Sequence, residues 1–144
     1  MKSVLPLRIA SVLTLIHAVL HTVGGVFGRT PPGVATMVVA TMKANPVQAL
    51  GVTRTYFDFY RGMGLCVTIF LTAEAVVFWQ LGSLAKNFAP QLRPILATFL
   101  VAYLVLSVNS YLYFFFAPVI VEILISACFL WAIVAAKPTN LPER

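Results

Sequence analysis

Apolar residues gather in four long stretches along this chain, separated by short polar breaks. A helix rises about 1.5 Å per residue, so crossing a hydrocarbon layer of about 30 Å takes roughly 20 residues. The stretches therefore predict helices over residues 7–27, 56–81, 92–111 and 115–136. The flanks agree with those limits. Pro6 suits the first turn of the first helix, and Gly28 with Pro31 and Pro32 stops it. Arg93 and Pro94 open the third helix, and Lys137 with Pro138 ends the fourth. Gly82–Gln91, with Lys86, predicts a polar turn. Residues 28–55 form the one long loop. Within it residues 33–44, GVATMVVATMKA, are too few to span and predict a short interfacial helix, ended by Asn45 and Pro46. The fold class expected is all-α: an integral membrane bundle of four transmembrane helices in one domain over residues 1–144.

Composition strengthens this reading. Of 144 residues, 60% are hydrophobic and only 10% charged, with a mean hydropathy of +0.95. A soluble domain of this length needs a more charged surface. Ten Lys and Arg against four Asp and Glu give +6, but the basic residues sit at the ends of apolar runs. No basic stripe or RNA-binding signature is present, which argues against nucleic acid. Counting basic residues by side sets orientation. Lys2, Arg8, Lys86, Arg93, Lys137 and Arg144 share one side; Arg29, Lys43, Arg54 and Arg61 share the other. Six against four places both termini in the cytoplasm. Lys2 and Arg8 before an apolar run imitate a secretory signal, yet the run is long and no A-x-A site follows, so it reads as a retained helix. Cys66 and Cys128 fall at different expected depths and form no CxxC, so neither a disulfide nor zinc spacing is expected.

The candidate chemistry lies inside the apolar runs. His17 and His21 stand four residues apart, which puts them on one face of an α-helix. Gly24, Gly25 and Gly28 continue roughly that side, and the Gly24–Gly28 spacing predicts close packing of a second helix there. Glu74 and Glu122 lie within the second and fourth runs, and Ser107 and Asn109 near the end of the third. A charge at the bilayer centre costs at least ~2.5–3.5 kcal/mol on insertion scales, so these groups are expected to face one another. By depth most of these groups converge on the outer half of the bundle, Glu74 lying at or slightly below the midplane, and His17, His21, Glu74, Asn109 and Glu122 together define a ligand pocket there that opens outward. Asp58 and Arg61, at i and i+3 within RTYFDFYRGMG, stand at its entrance and are spaced to pair. Two histidines at i and i+4 could ligate a metal if carboxylates completed the set. The Glu-x-x-His repeats of di-iron bundles are absent, so no metal or other cofactor is assigned. The same groups could instead serve acid–base chemistry, relay protons, or simply hydrogen-bond across helices and fix the bundle.

The stretches LRIASVLTLIHAVLHTVGG, RTYFDFYRGMGL and AEAVVFWQLG together resemble a group of small bacterial four-helix membrane proteins, broadly DoxX-like. The resemblance implies an inner-membrane, multi-pass protein and no definite activity. DoxX-like relatives are implicated as membrane partners in redox and sulfur metabolism. A weaker likeness is to the sterol isomerase and sigma-2 receptor superfamily, which places carboxylates and a His in a membrane pocket. Glu74 and Glu122 are analogous there, without a motif that matches residue by residue. The functional expectation is a pocket for a small apolar or lipid-like ligand, or an accessory role beside a membrane protein partner or a second copy. The alternative from another class is an isomerase-like acid–base enzyme acting on a lipid or isoprenoid. A proton or metal conduit is disfavoured because the cytoplasmic half offers little polar path besides Glu74.

Overall fold

The structure, a computed structural model, describes residues 2–136. Its elements are helix α1 (Val4–Leu20), a π-helical segment (His21–Val26), α2 (Val34–Ala44), strands β1 (Pro46–Ala49) and β2 (Val52–Thr55), α3 (Tyr56–Phe88), α4 (Arg93–Tyr113) and α5 (Phe116–Ala135). Four helical stretches are long and apolar enough to cross a membrane: Val4–Val26, Tyr56–Phe88, Arg93–Tyr113 and Phe116–Ala135. The all-α expectation holds, apart from one small hairpin. The expected tail at Lys137, Pro138 and Arg144 lies outside the described residues.

The described residues fall into two compact units: Ala18–Phe70 forms one, and the segments up to His17 and from Leu71 form the other. The discontinuous unit has the larger core. Leu7 and Ala10 of α1, Phe78, Leu81 and Ala85 of α3, Leu96 and Tyr103 of α4, and Ile125, Cys128, Phe129 and Ala132 of α5 pack into one cluster. Phe78 is its hub. Its ring meets Phe99 at 4.9 Å and Phe129 at 4.8 Å, both edge to face, and lies 6.0 Å from Tyr103. Edge-to-face pairs align ring edges with ring faces and add roughly 0.5–1.5 kcal/mol beyond burial. The buried α3 positions 71, 75, 78, 82 and 85 recur at helical spacing, so one stripe of α3 faces this core.

The second unit is thinly packed. α2 has no buried residue. It leads into the antiparallel pair β1–β2, in register Pro46↔Thr55 through Ala49↔Val52. The two turn residues, Leu50 and Gly51, have φ of 47° and 84°. Two successive positive values match the right-handed twist of a hairpin. Glycine adopts them freely, but a leucine pays a steric cost, and Leu50 is also fully exposed.

Three boundaries differ from expectation, each for a physical reason. The predicted turn at Gly82–Gln91 is helical to Phe88. Gly82 is not a breaker here: a Cβ at this position would stand 3.3 Å from Arg8 Nε, so the glycine admits the side chain of α1 against α3. Pro90 then disfavours the helical region for Ala89 and ends the helix. The hairpin occupies a stretch expected as plain loop. The first helix changes to π geometry at His21, where the Phe27 amide donates to the Thr22 carbonyl at 2.9 Å, five residues back. The expected helix-packing role of Gly24 and Gly28 is not what the structure shows. Nothing lies within 4 Å of a Cβ built on Gly24, and one on Gly28 would collide with Gly24's own carbonyl. The close approach falls on Gly64 of α3, where a Cβ would stand 2.9 Å from Val26 Cγ2.

Two outcomes follow for stability. Phe129→Ala, which removes a ring at the centre of the larger core, is expected to cost about 3–5 kcal/mol. Leu130→Ala on the exposed face should stay within ~0.5 kcal/mol; denaturant titration of both variants checks the contrast. Leu50→Asn relieves a left-handed penalty of about 1–2 kcal/mol, so amide exchange at Gln48 and Val52 should slow about fivefold; unchanged exchange would show that the turn carries no strain.

Candidate functional site

Each described carboxyl group on the apolar helices of the larger unit is met by a neutral hydroxyl from α4. The Tyr103 hydroxyl donates to Glu74 Oε2 at 2.7 Å. The Ser110 hydroxyl donates to Glu122 Oε1 at 2.9 Å. Tyr103, Ser107 and Ser110 stand at i, i+4 and i+7, all buried, so one face of α4 supplies both donors. An acidic side chain on an apolar helix is tolerable only with such partners, because an unpaired polar group there costs several kcal/mol.

The two acids differ in setting. Glu122 is 2% exposed, and its Oε2 has no hydrogen-bond partner among the described residues. Ser126, one turn along, spends its hydroxyl on the Glu122 backbone carbonyl at 2.9 Å. Glu74 is half-buried and keeps part of its surface accessible. Thr14 of α1 is buried, donates to the Ala10 carbonyl at 2.9 Å, and lies beside the Tyr103 hydroxyl. The aromatic cluster of Phe78, Phe99 and Phe129 packs beside Tyr103 and makes this an apolar setting for two carboxyls.

The other expected pocket residues are placed as follows. Asn109 is exposed, and its neighbour Ser110 is the residue that reaches Glu122. Depth alone suggested Asn109; one residue of rotation, about 100°, turns it off the buried face. His17 is half-buried near the end of the α1 segment that belongs to the larger unit. Tyr103 and Ser110, the donors that hold the acids, were not singled out from sequence. Their i, i+7 spacing was the available signal.

His21 belongs to the smaller unit. Its ring meets the Gly64 carbonyl at 3.0 Å through Nε2. A carbonyl can only accept, so Nε2 carries the hydrogen. Neutral His21 then presents Nδ1 as an acceptor, on the side where a Cβ on Gly25 would lie 3.6 Å away. The Thr22 and Thr68 hydroxyls meet at 2.9 Å one turn further along α3. The α-helix runs through Leu20 and π geometry begins at His21, and the two histidines belong to different units.

The two residues expected at the entrance each make their contacts with other partners. Asp58 accepts from the Thr55 backbone amide at 2.7 Å and the Thr55 hydroxyl at 2.8 Å, while the Asp58 amide donates to Thr55 Oγ1 at 3.1 Å. This is a reciprocal capping box closing the start of α3. Its T-x-x-D signature stands in the sequence at residues 55–58. Arg61 instead lies over the Phe27 ring, 4.7 Å from its centroid. Among the described residues no three His, Cys, Asp or Glu side chains are grouped to hold a metal ion. Cys66 and Cys128 are free thiols.

The chain matches no family model, no curated protein and no solved structure. The reading of the site therefore rests on its own chemistry.

The capping box makes a direct expectation. Thr55→Ala should cost about 1 kcal/mol of α3 stability. Asp58→Ala should cost a similar amount, and the double variant little more than either alone, because both remove one reciprocal unit. Additive losses in denaturant titration would show that Asp58 has a separate role.

Proposed function

We propose that this chain is a multi-pass protein of a bacterial inner membrane, broadly DoxX-like, with both termini cytoplasmic. We infer further that its larger unit binds a small apolar ligand through Glu74. The observation that carries the reading is the Tyr103–Glu74 hydrogen bond. It fixes the carboxyl group of a half-buried residue in an apolar helical setting. A neutral phenol holds the acid without cancelling its charge, so a ligand with a hydroxyl or ammonium group finds a strong acceptor. Pockets of this kind are mostly apolar, with one or two polar groups that fix orientation. Glu122, buried and with one oxygen unpartnered among the described residues, adds acceptor capacity nearby on α5. The same arrangement suits an accessory subunit that carries an apolar cofactor for a membrane partner.

The test is chemical analysis of organic extracts from protein purified out of bacterial membranes. Wild-type protein should retain an apolar compound bearing a hydroxyl or amine. Glu74→Gln keeps the shape and an acceptor for Tyr103 but removes the charge. Since a charged hydrogen bond contributes roughly 1.5–3 kcal/mol, retention should fall tenfold or more. Identical extracts, with only stability altered in Glu74→Gln, would show a purely structural acid.

A further inference from the structure

The two ends of the larger unit differ in charge. The start of α1, the end of α3, the start of α4 and the end of α5 share one end. Two contacts establish this for α1, α3 and α5, and the short link from Phe88 to Arg93 adds the start of α4. The Arg8 guanidinium lies over Trp79, 3.5 Å from the ring centroid, and its Nη2 donates to Ser83 Oγ at 2.8 Å, joining α1 to late α3. Lys2 and Leu5 also line one groove with Trp131 and Ala135 of α5. This end carries Lys2, Arg8, Lys86 and Arg93. No described acid neutralises them. Asp58 is held by Thr55, Glu74 by Tyr103 and Glu122 by Ser110. Arg8 has in addition one buried nitrogen, Nη1, with no hydrogen-bond partner among the described residues. A guanidinium cannot shed its proton to escape that cost.

The groove at this end has a volume of about 370 Å³. Among the described residues its lining is apolar apart from the Lys2 ammonium. The Trp131 ring is half-exposed on its wall, as Trp commonly is where hydrocarbon meets headgroups. An apolar groove with a cation in its lining, at an end where no described acid neutralises four basic residues, has the chemistry of one molecule: a single acyl chain attached to an anionic phosphate. We propose that this groove binds an anionic phospholipid. The chain lies against Leu5, Trp131 and Ala135, and the phosphate meets Lys2. Arg8, Lys86 and Arg93 contribute through the field of this end, not by contact. The inference rests on the membrane reading above and is independent of the ligand at Glu74.

Trp131 is itself the reporter. Trp79→Phe leaves it as the sole tryptophan in the full chain, since the sequence has two. In vesicles, phosphatidylglycerol brominated on its acyl chain should quench Trp131 at lower mole fraction than equally brominated phosphatidylcholine. One Lys near an anionic surface contributes about fivefold in affinity, so the preference should be several-fold and should drop about fivefold in Lys2→Gln. Leu5→Trp is unsuitable in this assay, so Leu5→Phe serves to fill the groove; it should weaken quenching by both lipids with Lys2 intact. Native mass spectrometry of the unaltered chain should show the same preference, which guards against disturbance of the Arg8–Trp79 stack. Equal quenching by the two lipids would overturn the proposal while leaving the membrane reading intact. Absence of quenching by either would overturn both. Loss of the preference on adding inorganic phosphate at low millimolar concentration would also overturn it, by assigning Lys2 to a free anion.

Discussion

The Tyr103–Glu74 hydrogen bond is the contact on which the arrangement of the larger unit depends. A carboxyl group inside apolar helices needs a donor from a neighbouring helix, and the neighbour must present it at one rotation and one height. α4 does this twice, through Tyr103 to α3 and through Ser110 to α5. Two turns separate the donors, so one setting of α4 satisfies both acids. Any rotation that brought Asn109 inward would withdraw Ser110 from Glu122. In a lipid setting helices gain little from burying apolar surface against each other. Close packing and interhelical hydrogen bonds then choose the register. The edge-to-face rings around Phe78 supply the packing and the two acids supply the phase.

The smaller unit is held by different means. It buries little, and several of its contacts are made to backbone. His21 donates to the Gly64 carbonyl, and the same carbonyl accepts from Thr68 Oγ1 at 3.2 Å. The Thr22 hydroxyl takes the Ala18 carbonyl at 2.6 Å just before the chain turns π-helical. Side-chain capture of an i−4 carbonyl loosens the helical ladder at that place. The missing Cβ of Gly64 lets Val26 approach, so the wider turn has somewhere to pack. Few buried apolar contacts and exposed backbone bonds mark segments that open at low free energy. By that criterion α2 and the hairpin are the softer part of the chain.

How far the sequence foretold this depends on the kind of signal. Run length located four helices, within a few residues except at the end of α3, because hydrocarbon thickness sets a demand that composition meets or fails. The short helix after Gly33 was legible for the same reason, by being too short. The hairpin was not, since Leu50–Gly51 lacks the Asn–Gly or Asp–Gly pair that announces such turns. The extension of α3 past Gly82 was hidden because a glycine that admits Arg8 looks, in sequence, like one that breaks a helix. Glu74 and Glu122 stood out as charges in apolar runs. Their partners did not, since Tyr and Ser in an apolar helix pass as filler until one asks which hydroxyls recur at seven-residue spacing. Asn109 was chosen by depth, and phase decided otherwise. The capping role of Asp58 was available in T-x-x-D and was masked by the aromatic and basic residues around it.

The partners chosen for the acids bear on what the protein does. An arginine beside Glu74 would have neutralised it and closed the site, leaving a structural ion pair. Tyrosine and serine satisfy hydrogen bonding and leave the charge balance open. The cations that would have paired with these acids stand instead at one end of the unit, among Trp79 and Trp131, where no described carboxylate meets them. A fold that sought only stability would gain by bringing the two sets together or by removing both, since well-packed apolar residues commonly replace buried ion pairs without loss. Keeping two acids in the interior costs folding energy, as does the buried nitrogen of Arg8 that has no hydrogen-bond partner among the described residues. In the proposed reading that cost is offset by binding partners from outside the chain: a donor or cation for the interior, and an anion for the rim.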